Sequence, residues 1–142
     1  MNTFADLLTA KPPFDPADLQ FRAQQSFPSR VSQSHLLMRK PCSPIPNTGI
    51  FVVIGAASYS PMELQLLDDV DAAHLNWHNQ AQVAVFDVLD CQTTADFEKY
   101  LPGVGSVAQS PVVAIWEDGR LAAKQTGLRM VREVLQERHI LS

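Results

Sequence analysis

The chain has 142 residues, 46% apolar and 18% charged, a length and balance that suit one packed domain and exclude a disordered chain. Its net charge of −4 comes from 11 basic and 15 acidic residues, and because the basic ones are dispersed, nucleic acid or an anionic membrane is not an expected partner. The longest apolar run, Gly49 to Ala57, is too short to span a bilayer, and no basic region followed by an apolar stretch opens the chain, so a cytoplasmic location is expected.

Seven of the ten prolines fall in the first 46 residues, which predicts a proline-rich arm over residues 1–48 ahead of a regular domain over residues 49–142. Within the arm, Asp15-Pro16-Ala17-Asp18 reads as a helix start, with an N-cap aspartate and proline at the first helical position, and good helix formers continue through Gln25. His35 to Lys40 has the composition of a short strand. Pro41 to Thr48 is a stiff extended linker, since each proline fixes its own φ and turns the preceding residue away from helix.

Beyond the linker, Ile50 to Ile54 is an unbroken apolar run of the kind found in a strand buried on both faces. Pro61 opens a helix predicted to reach about His78, with Leu66, Val70, Ala73 and Trp77 on one stripe. Gln82 to Val88 predicts a parallel partner strand joined by a right-handed crossover. A short helix over Thr94 to Tyr100 is broken by Pro102-Gly103-Val104-Gly105. Val112 to Trp116 and Leu121 to Lys124 flank Asp118-Gly119, a two-residue hairpin signal, and after Gly127 the residues Val131, Val134 and Leu135 give a final amphipathic helix. There is no internal repeat.

From residue 49 onward the order of elements, together with Ser110-Pro111-Val112-Val113-Ala114-Ile115-Trp116-Glu117-Asp118-Gly119-Arg120-Leu121 and the later Gly127, resembles the thioredoxin-like superfamily over residues 49 to 138. The match is to that family's cis-proline segment. The resemblance implies an α/β thioredoxin-like fold, in which a mixed central sheet holds a parallel βαβ unit and a C-terminal hairpin is followed by a helix. It also implies that Ser58-Tyr59-Ser60-Pro61-Met62 stands where thioredoxins carry Trp-Cys-Gly-Pro-Cys, and that Val53 stands where they bury a proton-moving aspartate. Neither Tyr59 nor Met62 can form a mixed disulfide, so dithiol exchange at this loop is not expected.

The same resemblance implies that Pro111 is cis and that the Ser110 backbone offers an open edge to an extended peptide. Tyr59, Ser60, Pro61, Ser110 and Pro111 are therefore the candidate binding residues, with Tyr59 as an exposed aromatic anchor. Cys42 and Cys91 lack CxxC or metal-ligand spacing, so two free thiols are expected, with a pair between them left open. Cys91 follows a parallel strand at the edge where active sites of open sheets gather. It is the candidate for monothiol or peroxide-sensing chemistry, with Cys42 as a resolving thiol, yet Asp90 and Asp87 would raise its pKa. Asp71, His74 and His78 share one face of the predicted helix at metal-ligand spacing, with a solvated polar face as the plainer reading.

Gly103 and Gly105 lack the flanking strand and helix that phosphate binding needs. No cofactor is expected. The leading reading is a redox-inactive module that binds another protein or extended peptide as an accessory, assembly or scaffold factor. The alternatives are a monothiol redox protein using Cys91 and a subunit of a larger assembly.

Overall fold

The computed structural model describes residues 3–9 and 15–142. Five strands, β1 (Leu37–Met38), β2 (Ile50–Ala56), β3 (Ala81–Asp87), β4 (Val112–Glu117) and β5 (Arg120–Thr126), form one sheet in the order β1-β3-β2-β4-β5. Strands β1, β3 and β2 are parallel to one another, whereas β4 and β5 run antiparallel. The fold is thus α/β with a mixed sheet, and the apolar run of β2 lies at its centre, as its two-sided hydrophobicity requires.

Because successive side chains point to opposite faces, β2, β3 and β4 build two cores. Val52, Ile54, Val83, Val85, Val113 and Ile115 face one side, where they pack against α1 (Pro16–Ser32), α2 (Pro61–Ala72) and α4 (Leu128–Glu137). Phe51, Val53, Ala84, Phe86, Val112, Ala114 and Trp116 face the other, covered by α3 (Thr94–Tyr100) and the segment after it. Gly55 must be glycine here, because a Cβ would lie 2.6 Å from the Phe86 ring and 2.8 Å from a Val112 methyl.

Helix α3 spans the predicted residues and starts with a reciprocal Thr93–Asp96 capping box. Asp118 and Gly119 carry φ of 50° and 84° at the β4–β5 turn, the doubly positive pattern of the type I′ hairpin that Asp-Gly favours.

Helix α1 runs further than predicted. Asp15 caps it by accepting from the Ala17 N–H, but it continues past Gln25 and through Pro28 to Ser32. A proline inside a helix forfeits one hydrogen bond and crowds the preceding turn, at about 3 kcal/mol. Burial of Phe27 and Val31 in the first core offsets that cost. Phe4 also enters this core, its ring 5.9 Å from that of Phe27, while the Asp68 carboxylate accepts from the N–H groups of Phe4 and Ala5. Residues 16–38 therefore supply a helix and an edge strand to the same layers as the later chain.

Helix α2 is shorter than predicted, ending at Ala72 rather than His78 and followed by a 3₁₀ turn at His74–Asn76. The His74 ring Nδ1 lies 3.1 Å from the Asp71 carbonyl, the acceptor that the next helical turn would need. The Asp71 carboxylate is meanwhile taken by the His35 N–H and ring, at 2.8 and 3.0 Å. Trp77 still reaches the first core, with its indole N–H donating to the Ile140 carbonyl.

Candidate functional site

Gly55 of β2 pairs with Val112 of β4, and Ala56 pairs with Asp87 of β3. That register brings the loop after β2, the Ser110–Pro111 turn before β4 and the end of β3 to one edge of the sheet. The Ser110–Pro111 peptide bond is cis, and the Pro111 carbonyl accepts from the Gly127 N–H. The five residues singled out in the sequence thus gather at this edge, where Pro111 is buried, Ser60 and Ser110 are half-buried and Tyr59 and Pro61 are exposed.

The loop is held from below by two carboxylates that sequence reasoning did not select. Ser60 caps α2 by accepting from the Glu63 N–H, and Glu63, itself buried, reaches back to accept from the Ala57 N–H at 3.1 Å. The Ser60-x-x-Glu63 spacing carried that signal, since serine followed three positions later by glutamate marks a helix start. Asp87, 2% exposed, accepts from the N–H groups of Ser58 and Leu89. Its other oxygen and the Ser58 hydroxyl are buried without a hydrogen-bond partner among the described residues. Burial pushes the Asp87 carboxyl above its ordinary value, against the opposing hydrogen bonds from Ser58 and Leu89.

These buried supports leave Tyr59 and Met62 standing outward, 48% and 64% exposed at the head of α2. Large apolar side chains held out on a braced loop are suited to contact with another surface.

Cys91 follows the end of β3 by one 3₁₀ turn. It lies half-buried at the margin of the second core. Burial, followed by Asp96, Asp90 and Asp87, pushes its thiol up to about 11, with Lys99 opposing. Cys42 and Cys91 are free thiols. Since the thiolate is the reacting species, native Cys91 at pH 7.5 is expected to react with iodoacetamide at least about tenfold more slowly than in the urea-unfolded chain. Peptide mass spectrometry of timed samples reads this directly, and equal rates would refute the raised pKa.

Asp71, His74 and His78 are not brought together as a ligand set. Asp71 binds His35, the His74 ring stacks on that of His35 with centroids 3.3 Å apart, and His78 Nδ1 accepts from the Gln80 N–H in an exposed turn. Among the described residues no group of three or more His, Cys, Asp or Glu side chains is arranged to hold a metal ion. Nor is any helix among them long and apolar enough to cross a membrane.

No family model matches the chain, and no curated protein sequence matches it. Solved structures do. A chain from work on the thiol resolving mechanism in yeast mitochondrial 1-Cys peroxiredoxin, via glutathione/thioredoxin systems, aligns at 14% identity with a TM-score of 0.51, covering 73% of this chain and 98% of that one. A point mutant of thioredoxin from Halobacterium salinarum NRC-1 aligns at 19% identity with a TM-score of 0.47, over 75% of this chain and 92% of that one. At 14% identity the first of these likenesses defines the fold alone, a mixed-sheet α/β arrangement of the thioredoxin-like kind, and leaves function to be argued from the site.

Proposed function

We propose that this chain is a redox-inactive, thioredoxin-like module that binds another protein through an extended segment, acting as an accessory, assembly or scaffold factor. The observation that carries the reading is the pair of exposed side chains, Tyr59 and Met62, where the resemblance expects the two cysteines of a dithiol loop. An aromatic with two rotatable side-chain angles gives large contact area at low entropic cost, and a methionine adapts to irregular partners. Ser110, beside Pro111 and half-buried, supplies backbone N–H and C=O groups for strand-like pairing with the segment. Dithiol exchange has no attacking sulphur in this loop.

The test is affinity capture from the native source with the full chain, its Tyr59→Ala variant and a Leu75→Ala control. Leu75 is 85% exposed and lies just past the far end of α2 from Tyr59, so its loss removes apolar surface without touching the site. A stoichiometric partner retained by the wild type and the control, and weakened about tenfold or more by Tyr59→Ala, is the expected result. A monomer that captures no partner, or equal loss in both variants, overturns the reading.

A further inference from the structure

Arg39 is 3% exposed, and its cationic group is held by uncharged partners among the described residues. Its backbone N–H is fixed to Val85 of β3, and its side chain runs under the end of α3. There Nε donates to the Tyr100 carbonyl and Nη2 to the Ser43 carbonyl, both at 3.0 Å, with the guanidinium carbon 5.6 Å from the Phe51 ring centre. A guanidinium has five N–H donors and stays protonated in proteins. The two engaged here meet neutral carbonyls, and no carboxylate among the described residues forms a salt bridge with it. A buried cation is costly unless an anion accompanies it.

The side chain borders a solvent-open cavity of about 370 Å³ between α3 and the proline-rich linker, large enough to seat a small ligand against the protein surface. Arg39 and Lys99 form its cationic part, Pro44, Ile45 and Pro102 are apolar walls, and Cys42 stands at the same lining. Lys99 is only loosely occupied, its ammonium 3.8 Å from Asp96. Glu98 also borders the cavity, with one oxygen accepting from the Gly103 N–H. Its negative charge disfavours a multiply charged guest, whereas a single carboxylate can accept a charge-assisted hydrogen bond from the guanidinium N–H groups that the Tyr100 and Ser43 carbonyls leave free.

We propose that this cavity binds a carboxylate carried on a short apolar body, with the anion against Arg39 and Lys99 and the body between Pro44, Ile45 and Pro102. The site is separate from the Tyr59 surface and independent of what binds there.

Cys42 provides the reporter, because iodoacetate carries a carboxylate and iodoacetamide does not. In the folded full-length chain the ratio of iodoacetate to iodoacetamide alkylation rates at Cys42 is expected to exceed that of the urea-unfolded chain by about tenfold, the worth of one charge-assisted hydrogen bond. The iodoacetate rate should saturate with concentration, and butyrate should protect Cys42 where butyramide and inorganic phosphate do not. Lys99→Gln, at an exposed side chain, should lower the ratio without unfolding the protein.

A carboxylate at the end of a polypeptide has the same chemistry. Trialanine protecting at lower concentration than butyrate would assign the site to a chain terminus, and the reverse order to a free acid. A ratio equal to that of the unfolded chain, or equal protection by butyramide or phosphate, would overturn the proposal.

Discussion

Replacing Phe27 by alanine is expected to lower the free energy of unfolding by about 3–5 kcal/mol, the range for emptying a fully buried aromatic site. Phe27 is 0% exposed and sits in the first core, with Phe4, Val31 and the β2 and β3 valines. Its loss would leave a void beside the Phe4 ring, 5.9 Å away, and among the core side chains of the sheet. Urea unfolding followed by circular dichroism should give a single transition at a lower midpoint with an unchanged slope. If residues 1–48 were an appendage to the domain, the midpoint would barely move, within about 0.5 kcal/mol as for a surface change.

Local signals and distant packing divide what the sequence makes readable. Helix α3 and the Asp118-Gly119 hairpin rest on signals internal to a few residues, a capping box and a turn with two positive φ angles, and both were legible. The parallel β2–β3 pair was legible from its apolar runs. Helix α1 falls short in the sequence reading because the run of good helix formers stops at Gln25, whereas what carries the helix on through Pro28 is burial of Phe27 and Val31 against strands far along the chain. The end of α2 is hidden differently, since the apolar stripe runs on to Trp77 while the His74 ring lies at the Asp71 carbonyl that the next turn would use, and that ring is itself stacked on His35 from far along the chain.

The site divides in the same manner. Tyr59, Pro61 and Pro111 stand out by their place in a motif and Glu63 by its spacing from Ser60, whereas Asp87 and Arg39 look like ordinary surface charges until the fold buries them. Periodicity reports which apolar residues go inside and is silent about which charged residues follow them.

Asp87 gives the second large effect, on the brace beneath the Tyr59 loop. In the unfolded chain its carboxyl titrates near the ordinary 3.8, and in the folded protein burial raises it. Below the unfolded value both states hold the proton and the carboxyl costs nothing in ionisation. As the pH rises through the folded value, the native state must ionise a buried group that the unfolded chain has already ionised in water, so stability is lost across that window.

Asp87→Asn removes this dependence while its amide oxygen still accepts from the Ser58 and Leu89 N–H groups, and its NH₂ offers the Ser58 hydroxyl the partner it lacks. The variant is expected to be more stable than wild type by about 1–3 kcal/mol at neutral pH, the cost of an unsatisfied buried polar group. The gap should narrow towards acid pH. Asp87→Ala should instead fall below wild type at acid pH, where the native carboxyl is neutral, because two amides lose their acceptor at about 1–3 kcal/mol each. Urea midpoints of the three proteins between pH 3 and pH 8 separate these outcomes. A difference between the Asp87→Asn variant and wild type that stayed constant with pH would mean that the buried carboxyl titrates at its ordinary value in the folded protein.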